Sequence, residues 1–304
     1  MRMSKLIWNE NNIGSQKNSV IVITGGNAGI GFEQANVLAN KGATIILAVR
    51  NVDYGKAAIE KIKKSNRNAT VDTIRLDLSD LDSVQSFSHS FNSKYDKLDV
   101  LINNAGVMMP PEGKTKQDFE LQFGVNHLGH YALTGLLLPT LLKTNKSRII
   151  TVSSLAHGWK GATIYFDNLH WEGNYNKTLA YCQSKLANLL FTYELDRRLK
   201  NKGYSTLSLA AHPGWSTTNL QNHLNFFAKK IVHLLSQSAS MGALPILRAA
   251  TDNNVIGGEY FGPPGKLQNR GYPIQVKSSD LSHDQTLAKR LWDVSAELTG
   301  IQYL

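Results

Sequence analysis

Short apolar runs alternate with longer amphipathic stretches over the first 210 residues of the chain. The apolar runs are rich in β-branched residues, which predicts strands that are buried on both faces. In the stretches between them, apolar residues recur at helical spacing, which predicts helices. The predicted strands cover 19–24, 43–49, 70–78, 98–105, 147–154 and 204–212. The predicted helices run from the turn at 24–31 to Asn40, and over 54–64, 81–94, 118–143 and 178–199.

This alternation of buried strands and helices predicts a parallel sheet with a layer of helices on each face. We therefore expect an α/β fold built on a doubly wound Rossmann sheet. Because no linker, repeat or low-complexity tract interrupts the sequence, the whole chain, 1–304, is predicted to be one domain. Residues 263–304 form a C-terminal extension that contains a further helical segment.

The composition narrows the class of protein. At 304 residues and 42% hydrophobic, the chain is long enough to bury a large core. Its start lacks the apolar segment of a signal peptide, and its longest apolar run, 131–142, is too short to span a bilayer. The single cysteine, Cys182, excludes an intrachain disulfide and a metal site built from thiolates. We therefore expect a cytoplasmic protein without a membrane span.

The formal net charge of +10 raises the question of a nucleic-acid partner. The basic residues are scattered over polar helix faces and helix C-termini, where water and the helix dipole stabilise them, so we expect no such partner. The histidines lack acidic partners at metal-ligand spacing, which predicts no metal site. We interpret His127 and His130 as core histidines, and His157 and His212 as structural or pocket-lining.

A glycine-rich turn, "TGGNAGIG" (24–31), follows the first predicted strand and opens the first helix. Gly25, Gly29 and Gly31 are spaced G-x-x-x-G-x-G, a variant of the G-x-G-x-x-G dinucleotide fingerprint with a wider first gap. Such a turn brings the backbone close to a pyrophosphate and presents N–H groups at a helix N-terminus. The order of strand, turn and helix favours a dinucleotide site over a turn without a ligand.

The end of the second predicted strand indicates which dinucleotide binds. Arg50 lies nineteen residues after Gly31, where an acidic residue would accept a hydrogen bond from the ribose 2′-hydroxyl of NAD. An arginine at this place can bind the 2′-phosphate of NADP. We therefore favour NADP(H) over NAD(H). Asp53 is interpreted as the N-cap of the next helix.

The sequence "YCQSK" (181–185) places Tyr181 and Lys185 four residues apart on a predicted helix, so that both share one helix face. A phenol with a pKa near 10 is a poor proton shuttle at neutral pH. An ammonium about 5 Å away would stabilise the phenolate by roughly 3 kcal/mol, so we expect Lys185 to lower the pKa of Tyr181. This spacing is a short motif that also occurs by chance. Support for a catalytic pair must therefore come from other motifs in the chain.

Other motifs accompany this pair in a fixed order. They are "TGGNAGIG" (24–31), "RLDLSD" (75–80), "INNAG" (102–106), "VNHLG" (125–129), "TVSS" (151–154) and "HPG" (212–214). In this series the chain resembles the short-chain dehydrogenase/reductase family, over about residues 18–262. Within the family it is most similar to the retinol-dehydrogenase-like branch of carbonyl reductases, through "TGGNAGIGFE", "VNHLGHYALT", "VSSLAH" and "YCQSKLAN".

The resemblance implies an NADP(H)-dependent oxidoreductase that interconverts a carbonyl and an alcohol by hydride transfer. Tyr181 matches the family's catalytic acid/base, and Lys185 matches its lysine partner, which lowers the tyrosine pKa and binds the cofactor ribose. Ser154 matches the serine that binds the carbonyl oxygen, with Ser153 as an alternative. Asn126 matches the asparagine that helps to hold a water relay; a different interpretation is that it caps or kinks the long helix.

The same motifs assign the cofactor contacts. Asp77 and Leu78 resemble the pair that contacts adenine, and Thr218 matches the residue that contacts the nicotinamide amide. The full set of expected cofactor-binding residues is Gly25, Asn27, Gly29, Ile30, Gly31, Arg50, Asp77, Leu78, Asn104, Ala105, Gly106, Lys185, Pro213, Gly214 and Thr218.

Two segments are expected to shape the substrate pocket: the insertion 155–177, and 215–235, where the family places a lid. The insertion carries five aromatic residues, which either line a pocket for a bulky apolar aldehyde or ketone or pack the insertion onto the body of the protein. The expected partner is thus a small apolar carbonyl or alcohol. Family analogy also points to a homodimer through the predicted helix 118–143 and its neighbour.

Two other functions stay open. The family also contains reductases of C=C double bonds, which the scarcity of cysteine weakly disfavours. A non-catalytic NADP-sensing protein is the other alternative. The complete set of Ser154, Tyr181, Lys185 and Asn126 argues against a sensor, because a protein without catalysis needs none of them.

Overall fold

The computed structural model describes residues 7–215 and 237–304. Within these ranges eight strands form one sheet in the order β3-β2-β1-β4-β5-β6-β7-β8. The strands are β1 (Val20–Thr24), β2 (Thr44–Val49), β3 (Thr70–Arg75), β4 (Val100–Asn103), β5 (Arg148–Val152), β6 (Leu207–Ala211), β7 (Tyr260–Gly262) and β8 (Ile274–Gln275). The helices are α1 (Gly29–Asn40), α2 (Val52–Ser65), α3 (Leu81–Asn92), α4 (Leu121–Phe123), α5 (Gly129–Lys143), α6 (Lys177–Asn201), α7 (Ala239–Thr251) and α8 (Gln285–Thr299).

The strand order reverses beside β1, which pairs in parallel with β2 on one side and with β4 on the other. Ile23 of β1 lies opposite Leu47 of β2 and Ile102 of β4. At such a reversal, the connections that follow the neighbouring strands turn to opposite faces of the sheet and leave a crevice at its carboxyl edge. The predicted α/β fold with a doubly wound sheet is confirmed, and its crevice lies beside the glycine-rich turn.

Successive residues of the central strands pack into two different cores, because strand side chains alternate between faces. Ile21 and Ile23 face the core that β1 forms with α1, α2 and α7. Val22 faces the core formed with α3, α5, α6 and α8. All three side chains are fully buried, and each burial contributes roughly 1.5–3 kcal/mol. Burial on both faces is the reason that these strands appear in the sequence as continuous apolar runs.

Two strands at one edge of the sheet are missing from the prediction. β7 has three residues and β8 has two, which is too short to show a period. β7 pairs in parallel with β6, and β8 pairs antiparallel with β7. Their positions are therefore set by pairing with the rest of the sheet and not by their own sequence pattern.

The predicted helix 118–143 is divided in the structure. It begins after Glu120, whose side chain accepts hydrogen bonds from the first N–H groups of α4. Gly124–Leu128 then form a π-helix that leads into α5. The predicted start at Asp118 is wrong, because this residue has a φ of +61°. Since π-helical segments occur frequently at functional sites, the position of Asn126 inside this one points to the site.

The C-terminal extension packs on one side of α5 and α6. Trp292 of α8 stacks on Phe191 of α6 with ring centroids 5.9 Å apart. The Tyr303 hydroxyl donates to the backbone oxygen of Tyr131 at 3.1 Å. Gly135 permits this approach, since a Cβ there would meet the Tyr303 ring. The extension thus covers this side of both helices, and the expected homodimer stays a prediction.

Candidate active site

The glycine-rich turn after β1 folds tightly against the segment that follows β4. Gly25 has a φ of +66°, in the region that favours glycine, and its N–H donates to the Ala48 carbonyl oxygen at 2.9 Å. A Cβ on Gly31 would meet the Gly25 carbonyl oxygen and would lie 2.7 Å from Asn104 Nδ2. Both positions therefore need glycine, and no side chain covers the backbone of the turn at these two residues.

The N-terminus of α1 meets the chemical demands of an anion site. The helix begins after Ala28, whose methyl side chain cannot accept a hydrogen bond from the first N–H groups. These groups and the helix dipole favour a bound anion such as a pyrophosphate. Asn27 is half-buried in the turn, Gly29 has a φ of +54°, and Ile30 is buried under the first helical turn.

Thr24, the last residue of β1, fixes the segment that follows β4. Its Oγ1 accepts hydrogen bonds from the N–H groups of Asn104 and Ala105, both at 2.9 Å. The Asn104 side chain donates to the Thr24 carbonyl oxygen at 2.9 Å. The segment Asn104, Ala105 and Gly106 therefore stands beside the glycine-rich turn. The sequence analysis missed Thr24, although a polar residue at the end of an apolar strand was a usable signal.

His130 connects this network to the π-helix. Its Nδ1 lies 3.0 Å from the Asn126 backbone oxygen, and its Nε2 lies 2.9 Å from the Thr24 hydroxyl. Because a carbonyl oxygen only accepts, Nδ1 carries the proton and Nε2 accepts from Thr24. Burial lowers the pKa of His130 to about 4, so the ring is neutral. The prediction that His130 is a satisfied core histidine is confirmed; buried His127 bonds Ser295 through Nε2 at 2.8 Å.

Arg50 follows β2 and is exposed at the carboxyl edge of the sheet. Asn51 caps α2, since its Oδ1 accepts from the N–H groups of Asp53 at 2.9 Å and Tyr54 at 3.3 Å. The prediction that Asp53 is the N-cap is therefore wrong: an asparagine of equal capping strength precedes it. Asp53 lies in the first turn, where the helix dipole favours its charge.

Asp77 and Leu78 lie in the loop after β3, at the same edge of the sheet. One Asp77 carboxylate oxygen accepts from both the N–H and the hydroxyl of Ser79, at 3.0 and 2.6 Å, which fixes the loop. Leu78 is buried against the start of α5, because a Cβ on Gly129 would lie 3.0 Å from the Leu78 Cβ.

Tyr181 and Lys185 lie on the inner face of α6. The helix begins after Asn176, whose side chain accepts from the N–H groups of Thr178 and Leu179, both at 3.1 Å. Lys185 Nζ lies 5.7 Å from the centre of the Tyr181 ring. Tyr181 is 7% exposed and Lys185 is 5% exposed. The prediction that the two side chains share one face and meet is confirmed.

Burial shifts the pKa values of these two groups in opposite directions. It raises the pKa of Tyr181 to about 12, and the neighbouring Ser154 hydroxyl opposes part of the rise. It lowers the pKa of Lys185 to about 8. The net shift of the Tyr181 pKa is upward because burial disfavours the phenolate. The lowering that we expect from Lys185 stays a prediction. Tyr181 is a protonated phenol at neutral pH.

The Lys185 ammonium is anchored between β5 and the β4 loop. Its Nζ donates to the Val152 carbonyl oxygen at 3.3 Å, and the same oxygen accepts from Asn188 Nδ2 at 3.0 Å. On its other side, a Cβ on Gly106 would lie 3.6 Å from Nζ. The charge is thus held beside the segment that is expected to line the cofactor.

The two serines after β5 have different surroundings. Ser153 is buried, and its hydroxyl donates to the backbone oxygen of Lys185 at 2.8 Å. Ser154 is half-buried beside Tyr181, and its Oγ accepts from the Ala156 N–H at 3.3 Å. Since the Ser153 hydroxyl packs β5 against α6, the geometry favours Ser154 over Ser153 as the serine that faces a substrate.

The carboxamide of Asn126 joins three parts of the site. Its Oδ1 accepts from the Val107 N–H at 2.8 Å, and its Nδ2 donates to the Val107 carbonyl oxygen at 3.0 Å. The same Nδ2 donates to the Ser184 hydroxyl of α6 at 2.9 Å. A Cβ on Gly106 would lie 2.9 Å from Asn126 Oδ1. The side chain therefore fixes the β4 loop against α6, directly beside the Lys185 ammonium.

The loop after β6 carries the last expected cofactor residues. Gly214 has a φ of +64°, and its N–H donates to His212 Nδ1 at 3.2 Å. Burial lowers the pKa of His212 to about 3, in agreement with a structural role. Pro213 lies between them at the carboxyl edge of the sheet. Thr218 and, beyond its first residue, the predicted lid 215–235 lie outside the described residues.

Apolar and sulfur-containing side chains surround Tyr181. Ala156 and Cys182 are buried in one cluster with it, and the partly buried Met108 and Met109 pack on this cluster. Methionine side chains are flexible and adapt to irregular apolar ligands. The sequence analysis missed both methionines, because they follow the β4 loop and carry no periodic signal. The wall beside the phenol is therefore apolar.

The aromatic residues of the insertion 155–177 are used largely for packing. Tyr165 packs edge to face on Trp171 with ring centroids 4.8 Å apart. The centre of the Phe166 ring lies 3.9 Å from the guanidinium carbon of Arg290 in α8. Trp159 is 42% exposed. Of the two interpretations of the insertion, the structure favours packing: Phe166 packs onto α8, and Tyr165 and Trp171 pack on each other.

Two findings concern metals and membranes. Within residues 7–215 and 237–304, no group of three or more His, Cys, Asp and Glu side chains is placed to hold a metal ion. In the same part of the chain, no helix has both the length and the apolar character needed to cross a bilayer.

The crevice as a whole fits a nicotinamide dinucleotide. At one end, the bare backbone at Gly25 and Gly31 and the uncapped start of α1 suit a pyrophosphate. At the other end, the Lys185 ammonium and the Tyr181 phenol are buried next to each other. A Cβ at Gly106 would crowd Asn126 Oδ1 and would touch Lys185 Nζ.

The chain belongs to the short-chain dehydrogenase/reductase family. A family model described as short chain dehydrogenase matches residues 19–166. Retinol dehydrogenase 11 of Homo sapiens is 42% identical over 286 residues, which are 93% of this chain and 86% of that protein. Polyprenol dehydrogenase of Homo sapiens is 37% identical over 292 residues, 93% of this chain and 85% of that protein.

A solved structure shares the fold of this chain. A protein of Mycobacterium Paratuberculosis is 39% identical, has a TM-score of 0.82, and the match covers 98% of this chain and 99% of that one. The chain is therefore a retinol-dehydrogenase-like member of the family, as its motifs predicted. Membership makes it an oxidoreductase of the type that uses a nicotinamide cofactor on alcohol or carbonyl groups.

Proposed function

We propose that the chain is an NADP(H)-dependent oxidoreductase that interconverts an apolar aldehyde or ketone with the corresponding alcohol. One observation carries this proposal. The Lys185 ammonium lies 5.7 Å from the centre of the Tyr181 ring, and the Ser154 hydroxyl lies beside the same phenol. A proton donor, a cation and a hydrogen-bond donor at one end of a dinucleotide-shaped crevice are the groups that reduction of a carbonyl requires.

In the reducing direction, Tyr181 gives its proton to the carbonyl oxygen as the carbonyl carbon accepts a hydride. Burial keeps the phenol protonated at neutral pH, so its proton is present on the oxygen for this step. The Ser154 hydroxyl donates to the same substrate oxygen and stabilises the negative charge that develops there. In the oxidising direction, Tyr181 accepts the alcohol proton, and the positive charge of Lys185 favours the phenolate form that this needs.

The nicotinamide cofactor, when bound, donates or accepts the hydride. At pH 7 a lysine with a pKa of about 8 is mainly charged, and Lys185 is proposed to bind the cofactor ribose as a cation. Asn126 is proposed to hold the water through which Tyr181 exchanges its proton with solvent. The remaining contacts are proposed for Gly25, Asn27, Gly29, Ile30, Gly31, Asp77, Leu78, Asn104, Ala105, Gly106, Pro213, Gly214 and Thr218.

The preference for NADP(H) is proposed from Arg50. Its guanidinium is exposed at the end of β2, beside the strand-order reversal, and can form a bidentate pair with a 2′-phosphate. An acidic residue, which would bind the 2′-hydroxyl of NAD, does not stand at this position.

The substrate is proposed to be a long apolar alcohol or its aldehyde. Met108, Met109 and Cys182 give the surroundings of Tyr181 an adaptable apolar character. The names of two relatives, retinol dehydrogenase 11 and polyprenol dehydrogenase, both denote isoprenoid alcohols. We propose that the insertion 155–177 and the lid 215–235 complete this pocket within a single domain, 1–304.

The test is a turnover screen with NADPH and a panel of apolar aldehydes and ketones. We expect NADPH consumption with the wild type and loss of turnover in Tyr181→Phe with cofactor binding retained. Tyr204→Phe, which changes a tyrosine that is 41% exposed, serves as the matched control and should behave as wild type. No turnover with any carbonyl would favour a cofactor sensor, and a saturated product that keeps its carbonyl would favour a double-bond reductase.

A further inference from the structure

One buried side chain outside the proposed machinery touches the candidate catalytic serine. His157 is 5% exposed and lies at the end of the short 3-10 helix that follows Ser154. Its Nδ1 lies 2.6 Å from the Ser154 carbonyl oxygen. Its Nε2 lies 3.0 Å from the backbone nitrogen of Ser279, which donates to it. The ring thus bridges two segments that are 122 residues apart in sequence.

These two contacts fix the state of the ring. The Ser279 N–H donates, so Nε2 is an unprotonated acceptor. The Ser154 carbonyl oxygen accepts, so Nδ1 carries the hydrogen. His157 is therefore a neutral imidazole in a single tautomer. Burial lowers its pKa, which agrees with a neutral ring.

The partner segment belongs to the C-terminal extension. Ser279 precedes the 3-10 helix Asp280–His283, and its carbonyl oxygen accepts from the Ser282 N–H at 3.0 Å. The His157 ring also packs edge to face on Tyr260 of β7, with centroids 5.8 Å apart. The bridge is therefore built into the body of the protein, and the extension is tied through it to the segment that carries Ser154.

We infer that His157 is a positioning residue for Ser154, and that it makes the placement of this serine depend on the docking of the segment that contains Ser279. Only the backbone of Ser154 is held by the imidazole; the hydroxyl remains directed toward Tyr181. A small displacement of Ser154 would move its hydroxyl away from the substrate oxygen and would lower the rate, while the cofactor end of the crevice is untouched. The inference rests on the proposed function.

A substitution of Ser279 can remove the single hydrogen bond that its N–H donates to His157 Nε2. Its φ is −64°, which a proline adopts without strain, so Ser279→Pro removes the donating N–H and keeps the backbone path. Ser279→Ala is the matched control, because it keeps the N–H and removes a hydroxyl for which the described ranges offer no partner. We expect kcat to fall roughly tenfold or more in Ser279→Pro, with wild-type kcat in Ser279→Ala and unchanged NADPH affinity in both.

Substitutions of His157 test the same bridge from its other side. His157→Phe keeps the ring volume without either hydrogen bond and should lower kcat as Ser279→Pro does. His157→Gln retains one donor and one acceptor and should recover most of the rate. Because both changes cut one bridge, the double variant His157→Phe/Ser279→Pro should be no slower than either single variant.

The results of these experiments distinguish a failure of the positioning role from a failure of the proposed function. Equal kcat in Ser279→Pro and Ser279→Ala, or additive losses in the double variant, would overturn the positioning role. If Ser279→Pro does not fold, as shown by loss of NADPH binding, the comparison of His157→Gln with His157→Phe decides, and equal losses in both overturn the inference. If the wild type turns over no carbonyl or alcohol, the proposed function itself fails and the inference fails with it.

Discussion

The Lys185 ammonium lies 5.7 Å from the centre of the Tyr181 ring, and both side chains are buried on the inner face of α6. Burial raises the pKa of the phenol to about 12 and lowers the pKa of the ammonium to about 8. The folded protein therefore holds a charge in a place that disfavours it. Active sites commonly carry such a cost in stability because the chemistry needs the group there.

Replacement of this lysine is expected to stabilise the protein while it abolishes turnover. At pH 7 the ammonium is charged in both the folded and the unfolded chain, but it is desolvated in the folded one. Lys185→Met removes this penalty and should raise the free energy of unfolding of the cofactor-free protein by about 1–3 kcal/mol. Urea unfolding at pH 7 measures the change. Lys202→Met, at an exposed lysine just after α6, is the control, and a less stable Lys185→Met would contradict the account.

Buried histidines predict a loss of stability in acid. Burial lowers the pKa of His127 to about 3, of His130 to about 4 and of His212 to about 3. The unfolded chain binds these protons near pH 6.5, so the stabilisation is complete above that pH and is lost as the pH falls toward the folded-state values. Each histidine contributes about 1.4 kcal/mol per pH unit in this window.

Urea unfolding at pH 7.5 and pH 5 checks this prediction, and we expect a clearly lower midpoint at pH 5. His127→Phe should reduce the pH dependence, whereas a substitution of the exposed His89 by Phe should leave it unchanged. Equal midpoints of the wild type at the two pH values would show that these rings are not held neutral by the fold.

Arg50→Asp is expected to change the cofactor preference. Loss of a charged hydrogen bond to the 2′-phosphate, worth roughly 1.5–3 kcal/mol, should weaken NADPH binding about 10- to 100-fold. NADH has no 2′-phosphate, so its affinity should not fall. Paired titrations of the two cofactors measure the effect. Arg67→Asp makes the same charge change at an exposed arginine after α2 and should leave the preference intact; an unchanged preference in Arg50→Asp would remove Arg50 from the role.

Gly31→Ala tests the tight turn at the start of α1. The added Cβ would meet the Gly25 carbonyl oxygen and the Asn104 side chain, so the turn must open where the pyrophosphate is proposed to bind. We expect cofactor affinity to fall roughly tenfold or more. Gly14→Ala, where a Cβ meets no atom within 4 Å in the described structure, is the matched control. Wild-type affinity in Gly31→Ala would mean that the dinucleotide does not use this turn.

Much of the fold could be predicted from the sequence, because strands buried on both faces leave continuous apolar runs. β7 and β8 left no such signal, since their place comes from pairing with the sheet. The π-helix Gly124–Leu128 was hidden because five residues are too few for their spacing to distinguish a π-helix from an α-helix. Asp53 was mistaken for an N-cap because Asn51 has the same capping chemistry.

The relative placement of Tyr181 and Lys185 could be predicted from the sequence, whereas their pKa values could not. The spacing of Tyr181 and Lys185 determines that they share a helix face, whatever else packs around them. Their pKa values depend on how much water the surrounding fold excludes, and a charge–charge argument alone omits this. Thr24 and His130 were missed as a connected pair because their contact joins residues 106 positions apart.

The central claim is that Tyr181 protonates a carbonyl oxygen while the adjacent carbon receives a hydride from NADPH. The most direct measurement is the reaction of NADPH deuterated at the transferable C4 position with an apolar unsaturated aldehyde, followed by mass and NMR analysis of the product. The account predicts one deuterium on the carbon that bears the new hydroxyl with the wild type, and no labelled alcohol with Tyr181→Phe. Deuterium on a former double-bond carbon, or the same labelled alcohol from Tyr181→Phe, would contradict it.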